Sequence, residues 1–189
     1  MTSDTSHPAG KDEKIRLSSP ADQPAEGEAL PSCGDFDIRI ARDGTWFYQG
    51  SPIGRKALVK LFASVLRREA DGGYWLVTPV ERGQIIVDDA PFTAVELAAS
   101  GSGTAQALKF RTNVDDWVEA DRDHPIRIFQ APDSGGPSPY IMVRDRLEAL
   151  IVRSVYYHLV DLAVERRDGD RTVLGVWSKE TFFPLGGPE

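Results

Sequence analysis

Alternating apolar and polar positions after residue 35 predict two pairs of β-strands around one amphipathic helix. Gly44 supplies the turn within the first strand pair, and Gly72 ends the helix. Apolar residues recur at helical spacing between the two pairs, and Ser51 and Pro52 are predicted to begin this helix. The predicted strands are 36–40, 45–49, 74–80 and 84–89, and the predicted helix is 53–69. The first unit therefore has the element order ββαββ.

The rest of the chain predicts a β-hairpin followed by a second ββαββ unit. A glycine-rich turn over 101–104 favours a hairpin over a helix in this region. The longest predicted helix, 144–165, is apolar around most of its girth, so we expect it to be buried on more than one side. The remaining predicted strands are 91–99, 105–112, 125–129, 139–143, 172–178 and 180–185.

The two units also share local sequence. Residues 37–40 (DIRI) parallel 125–128 (PIRI), and a predicted helix begins at a similar distance after each. We interpret this pattern as an internal duplication in which two similar units bury their open faces against each other. Chance similarity between two α+β modules is the alternative. The predicted fold class is α+β, with two ββαββ-type repeats joined by a β-hairpin.

The N-terminal segment differs from the rest of the chain in composition. Residues 1–31 contain no aromatic residue, four prolines and little apolar material. Such a segment cannot bury enough apolar surface to offset the entropy of ordering it. The predicted organisation is a disordered tail over 1–31, an N-terminal α+β repeat over 32–90 and a C-terminal α+β repeat over 91–189.

Charge and composition exclude several classes of protein. The formal net charge of −7 argues against nucleic-acid and anionic-membrane binding, because both need a basic surface. No apolar run approaches the roughly 20 residues of a membrane-spanning helix. The first residues lack the apolar core of a signal peptide, so we expect a cytoplasmic location. The single cysteine excludes an internal disulfide and any multi-cysteine metal site.

Arginines carry the strongest indication of a ligand. Arginine binds phosphate and carboxylate groups bidentately, and Arg55 lies at a predicted helix start, where free N–H groups attract anions. Ion pairs with nearby aspartates, such as Asp37 and Asp43, are the structural alternative. We hypothesise one anion-accepting cleft between the repeats. The predicted ligand-binding residues are Cys33, Asp35, Arg39, Arg42, Arg55, Arg111 and Asn113.

Cys33 is the candidate catalytic residue for an alternative, enzymatic function. A nucleophilic cysteine needs a lowered pKa and usually a base nearby. His124 precedes the first strand of the second repeat, as Cys33 precedes that of the first, so the two could meet if the repeats face each other. His158 lies on the apolar stripe of the long predicted helix and is interpreted as a packed core histidine. A partly buried or redox-sensitive thiol is the alternative role of Cys33.

No metal or cofactor is indicated. The acidic run over 115–123 lacks the spacing of an EF-hand and is interpreted as a solvated turn. The phosphate-loop, nucleophile-elbow, zinc-protease and dinucleotide-binding motifs are all absent.

Long ordered blocks of the sequence resemble a known family. These blocks are CGDFDIRIARDGTWFYQGSPIGRKALVKLF, YWLVTPVE, DDAPF, FRTNVDDWVEADRDHPIRI, LGVWS and FFPLG. They resemble the DUF1285 family of bacterial proteins over residues 32–186. One departure is Gly83, which stands where a regular strand entry is expected.

The resemblance implies a duplicated α+β core whose C-terminal part looks superficially like a pleckstrin-homology domain. It also implies a site for a nucleotide-like ligand between the two parts, a role in signal transduction, and Cys33 as a nucleophile. We therefore expect a cytoplasmic ligand-binding or sensor protein, with an anionic or nucleotide-like small molecule as its partner. An enzyme that uses Cys33 and a protein–protein adaptor are the alternatives.

Overall fold

In the computed structural model, which describes residues 32–130 and 136–186, the first half of the chain forms a six-stranded sheet and one helix. The helix α1 spans Lys56–Ser64. The strand order is β3-β2-β1-β6-β5-β4, and β1 and β6 at the centre are parallel while the other neighbours are antiparallel. The strands are β1 Ser32–Ile40, β2 Trp46–Tyr48, β3 Ser51–Pro52, β4 Leu66–Arg68, β5 Tyr74–Val77 and β6 Arg82–Val87.

The second half forms another six-stranded sheet, in the order β10-β11-β12-β7-β8-β9. Its central strands β12 and β7 are also parallel, and a 3₁₀ turn over Gly103–Ala105 joins β7 to β8. The strands are β7 Phe92–Ser100, β8 Ala107–Thr112, β9 Trp117–Glu119, β10 Ile126–Gln130, β11 Pro137–Arg144 and β12 Leu147–Ile151.

The two sheets repeat one backbone path. In each, the first strand is followed by two antiparallel neighbours on one side, and the last strand returns to pair with the first in parallel on the other side. The prediction of an α+β fold with two similar halves is confirmed. The predicted correspondence between 37–40 and 125–128 is wrong, because β7 occupies the position of β1 and β10 occupies that of β4.

A third sheet and a second helix follow the second half. They comprise α2 Arg153–Asp161, β13 Val164–Asp168, β14 Arg171–Ser178 and β15 Thr181–Pro184. The β14–β15 turn is fixed to the second sheet by Ser178, which is fully buried. Its hydroxyl accepts from the backbone N–H of Leu108 at 3.0 Å and donates to the carbonyl of Ala120 at 2.6 Å. Both buried backbone groups are thereby satisfied.

The predicted helix over 144–165 is wrong in most of its length. Asp145 and Arg146 both have positive φ, and they form a tight turn between β11 and β12. Burial then alternates along β12 in the pattern of a strand, and only 153–161 is helical. His158 is exposed on α2, so its interpretation as a core histidine is also wrong. The second repeat therefore lacks the predicted ββαββ order.

The predicted helix over 53–69 is shorter in the structure. Ser51 and Pro52 do not begin the helix but form β3, which pairs with β2. At the other end, the predicted helical residues after Ser64 form β4, which pairs with β5. Leu66 of β4 is fully buried in this sheet. The hairpin predicted over 91–112 is present as β7 and β8, but its strands belong to the second sheet instead of connecting two units.

One buried apolar cluster runs through both halves and into the third sheet. In the first half it includes Ile40 and Trp46, whose ring stacks on Phe62 of α1 with centroids 6.2 Å apart. A Cβ at Gly83 would lie 2.5 Å from the ring of Phe36, so the glycine allows this ring to pack across β6. This contact explains the departure from a regular strand entry.

Two predictions concern features that the described residues leave open. The disordered tail over 1–31 lies outside those residues, and the likeness of the C-terminal part to a pleckstrin-homology domain stays a prediction. Neither α1 nor α2, the two α-helices of the described residues, has the length and apolar character needed to cross a membrane.

Candidate functional site

The link between the two sheets carries two aspartates that bind arginines of the first half. Asp88 accepts two hydrogen bonds from Arg39, from Nε at 2.8 Å and from Nη2 at 2.5 Å. Asp89 lies 3.0 Å from Nε of Arg42 and accepts a 2.7 Å hydrogen bond from the hydroxyl of Tyr140 in β11. Asp89 therefore fixes the link to both halves.

A cleft of about 370 Å³ opens beside Asp89, where strands of the two sheets come together. We call it the junction cleft. Strands β4 and β5 line it from the first half, and β10, β11 and β12 line it from the second. Its volume lies in the range of roughly 300–1,000 Å³ that is typical of small-molecule sites. The lining residues are Arg68, Tyr74, Asp89, Ala90, Arg127, Ile128, Phe129, Tyr140 and Glu148.

Of the two arginines that line the cleft, Arg68 has no acidic partner among the described residues. Its guanidinium carbon lies 5.3 Å from the centre of the Tyr74 ring. It donates to the carbonyl of Arg146 at 3.3 Å, and Arg146 donates in return to the carbonyl of Arg68 at 2.8 Å. These contacts hold the guanidinium in place but leave its charge uncompensated, so it is available to an anion.

Arg127 provides a second guanidinium, which is paired with Glu148 across β10–β12. Nε of Arg127 donates to Oε1 of Glu148 at 3.1 Å, and Nη2 donates to the same oxygen. Phe129, two residues along β10, is 61% exposed. The cleft thus combines charged groups with an accessible aromatic ring.

Two tyrosines of the cleft are held in their neutral form. Burial raises the pKa of Tyr74 above its usual range. Burial and the hydrogen bond to Asp89 together raise the pKa of Tyr140 to about 12. Because both hydroxyls stay protonated at neutral pH, they remain hydrogen-bonding groups and add no negative charge. The cleft can therefore hold an anion at Arg68 and a planar ring against its aromatic side chains.

Those predicted ligand-binding residues whose side chains the structure describes are not brought together in one cavity. Asp35 and Arg39 line a different cavity, on the first sheet. Arg42 reaches the link between the sheets, where it also donates to Ser138 at 3.3 Å. Arg55 is exposed at the start of α1, outside the cavities that the other predicted residues line.

Arg111 and Asn113 both make contacts that join parts of the fold. Arg111 pairs with Glu96 at 2.6 Å and with Asp115 at 3.2 Å. The side chain of Asn113 accepts from the N–H of Thr93 and donates to the carbonyl of Gly44, each at 3.2 Å. A Cβ at Gly44, which has φ of +83°, would lie 2.7 Å from Nδ2 of Asn113. The glycine is therefore needed for both the turn and this contact.

The catalytic pair predicted from the sequence is not brought together by strand pairing. Cys33 belongs to β1 in the first sheet, and its side chain lies outside the described ones. His124 precedes β10 of the second sheet, where its Nδ1 lies 3.0 Å from Oδ1 of Asp121. The roles of Cys33 and His124 in catalysis stay predictions.

Most acidic residues of the run over 115–123 have structural partners. Asp115 binds Lys56 of α1 at 2.7 Å, and this hydrogen bond is the main cause that lowers the pKa of its carboxyl. Glu119 has a lowered pKa chiefly because of Lys179, 3.0 Å away. No group of three or more potential ligands among the described residues is arranged to hold a metal ion.

Sequence reasoning did not single out the residues of the junction cleft as a site, although several of them lie in the quoted blocks. The blocks YWLVTPVE, DDAPF and PIRI contain Tyr74, Asp89 and Arg127, but their role depends on the meeting of two sheets. Arg68 stands in a run that the helical spacing assigned to a helix. The available signal was an arginine, Arg68, a few residues before Tyr74, the aromatic residue that begins a predicted strand.

Comparisons with known proteins assign the family. A model described as the N-terminal domain of DUF1285, a domain of unknown function, matches residues 24–90. A model described as the C-terminal domain of DUF1285 matches residues 91–185. The chain belongs to the DUF1285 family. The resemblance seen in the sequence is thereby confirmed, and no curated protein matches the chain.

Two solved DUF1285 structures are similar to this DUF1285 protein. The crystal structure of a family member from Silicibacter pomeroyi DSS-3 is 49% identical, with 89% of each chain covered and a TM-score of 0.77. One from Shewanella baltica OS155 is 26% identical and covers 66% of this chain and 91% of its own, with a TM-score of 0.52.

Proposed function

We propose that this DUF1285 protein is a cytoplasmic sensor that binds a nucleotide-like anion in the junction cleft. The observation that carries the proposal is Arg68, a guanidinium without an acidic partner among the described residues, held against Tyr74 at the meeting of two sheets. Arg68 receives the anionic group, and Phe129 and the tyrosines receive the planar ring.

The position of the cleft supports the proposed role in signal transduction. Residues of both halves line it, so an occupied cleft joins the two sheets through the ligand as well as through Asp89. A ligand that binds only this arrangement stabilises it by mass action, by about 2.7 kcal/mol at a concentration of 100 times Kd. Binding of the ligand thus changes how strongly the two halves are held together.

The proposal is tested by thermal unfolding and calorimetric titration of the full chain with adenosine and guanosine mono-, di- and triphosphates. Inorganic phosphate and the free nucleosides are titrated separately, so the contributions of anion and ring are distinguished. We expect at least one nucleotide to raise the melting temperature. Arg68→Gln should weaken its binding at least about tenfold, since a hydrogen bond to a charged group contributes about 1.5–3 kcal/mol.

Arg167→Gln is the matched control, because Arg167 is exposed on β13 and lies outside the cleft. It removes the same charge and should leave the affinity unchanged. The proposed function is wrong if no member of the panel stabilises the protein, or if Arg68→Gln and Arg167→Gln change the affinity equally.

A further inference from the structure

A second cavity, of about 600 Å³, lies on the first sheet and shares no lining residue with the junction cleft. We call it the sheet groove. Ile38 and Ile85 of β1 and β6 point into the core, so the alternate residues of these strands point outward. Ile86 is 64% exposed on this surface. The lining residues are Asp35, Phe36, Asp37, Ile38, Arg39, Phe47, Gly50, Gln84, Ile85 and Ile86.

The walls of the sheet groove are largely apolar, with Phe47 and Ile86 as the outward side chains that a ligand meets first. The pairing of β1 with β6 is interrupted twice, between Ser32 and Asp35 and between Asp35 and Arg39. Such irregularities increase the local twist of a strand and redirect its side chains. An exposed apolar surface of this kind on a folded protein is typical of an interaction site.

The charge of the groove is negative. Asp35 and Asp37 are exposed, and neither carboxylate has a hydrogen-bond or ion-pair partner among the residues that the structure describes. Arg39 does not compensate them, because Asp88 already binds its guanidinium with two hydrogen bonds. The partner that complements this surface therefore carries positive charge next to apolar groups.

The spacing of the carboxylates favours an extended peptide. Asp35 and Asp37 are two residues apart on β1, which corresponds to roughly 6.6 Å along a strand. Alternate side chains of an extended peptide repeat with the same spacing, so two lysines or arginines can meet the two aspartates. A second copy of this chain does not fit, because chains of net charge −7 repel each other.

We propose that the sheet groove binds an extended segment of a partner protein in which two lysines or arginines, two positions apart, are followed two positions later by an aliphatic residue. These three side chains lie on one face of the segment. The basic side chains pair with Asp35 and Asp37, and the aliphatic side chain contacts Phe47 and Ile86, which both pair with Arg39, the next outward position of β1. This surface is separate from the junction cleft, so the interaction does not depend on the ligand proposed there.

The test is fluorescence anisotropy of the full chain with a labelled peptide of the sequence Lys-Ser-Lys-Ser-Leu, at physiological ionic strength. The same peptide with glutamate in place of lysine is the charge-reversed probe, and we expect it not to bind. The double variant Asp35→Asn/Asp37→Asn should weaken binding of the lysine peptide about tenfold. Ile86→Thr should weaken it by a smaller factor.

The double variant Asp168→Asn/Asp170→Asn is the matched control, because both residues are exposed in the third sheet and its turn. It makes the same change in net charge and should leave the affinity unchanged. Unchanged melting temperatures establish that all variants are folded. The proposal is overturned by absent peptide binding or by equal weakening in the two double variants. The proposal is also overturned if spermidine displaces the peptide at a concentration below that of the peptide. It is overturned as well if the protein is a dimer that Asp35→Asn/Asp37→Asn dissociates.

Discussion

The two six-stranded sheets follow one path but are covered differently. Helix α2 and the third sheet pack on the second sheet, whereas α1 is the helix that accompanies the first. Most buried apolar side chains of the described residues accordingly lie after residue 90. The first sheet keeps the exposed groove around Ile86. A repeated backbone path thus does not imply a repeated environment, because burial depends on the elements that follow each repeat.

The largest expected effect compares two fully buried leucines. Leu108 lies in β8 of the second sheet, where its backbone N–H donates to Ser178 of the third sheet, and Leu66 lies in the edge strand β4. We expect Leu108→Ala to cost about 4–5 kcal/mol and Leu66→Ala about 2–3 kcal/mol, because the edge relaxes more easily around a cavity. Chemical denaturation measures both. Equal costs would show that the additional cover of the second sheet does not make its core more rigid.

Removal of the Ser178 hydroxyl tests the attachment of the third sheet. Ser178→Ala leaves the N–H of Leu108 and the carbonyl of Ala120 without their partner in a buried position. We expect a loss of about 2–3 kcal/mol, as for other buried groups left unsatisfied. Ser154→Ala, at an exposed position of α2, is the control and should change the unfolding free energy little. A similarly small loss for Ser178→Ala would contradict the proposed role of its hydroxyl.

Two glycines sharpen the comparison between covered and uncovered strands. A Cβ at Gly175 would lie 2.5 Å from the backbone carbonyl oxygen of Phe183, whereas at Gly83 it would lie 2.5 Å from the ring of Phe36. A side-chain ring can shift to make room for a methyl group more easily than the backbone can. We expect Gly175→Ala to cost about 2–3 kcal/mol and Gly83→Ala about 1 kcal/mol, measured by thermal unfolding. The reverse order would mean that Phe36 is fixed in place.

The smallest expected effect concerns the ion pairs between the halves. Asp115 of the second half binds Lys56 and Lys60 of α1, and its pKa is lowered in the folded protein. A lowered pKa contributes stability above the pKa of the unfolded state, and this contribution disappears as the pH falls through the folded pKa. Asp115→Asn should therefore lower the melting temperature slightly at pH 7 and leave it unchanged in strong acid. An equal decrease at both pH values would exclude the ion pairs as its cause.

The sequence predicted short strands well and the long helix poorly, for a reason visible in one run of residues. Leu147, Ile151, Val155 and Leu159 recur every four residues, a spacing compatible with one face of a strand and with one face of a helix. The structure uses both, a strand up to Ile151 and a helix from Arg153. The tight turn at Asp145 and Arg146, where both residues have positive φ, decides that the residues after it form a strand and not a helix. Neither residue type requires positive φ, so the sequence does not indicate this turn.

The junction cleft depends on contacts between distant parts of the chain. Arg68 is oriented by the carbonyl of Arg146, 78 residues away, and Tyr140 by Asp89 in the link. Local patterns contain no information on such pairs. The ligand site between the two halves stays a prediction, and the junction cleft is the cavity that the structure places where the halves meet.

The parallel pairing at the centre of each sheet has a consequence for how the chain reaches this structure. Ser32 pairs with Arg82, and Ala94 pairs with Ile151, so each pairing closes a long loop of chain. Hairpins such as β7–β8 form within about 1–10 μs, but a long loop loses more entropy on closure before its contacts compensate. We expect the hairpins of each half to form early, before the parallel pairing at the centre of each sheet. These two central pairings then set the folding rate of the molecule.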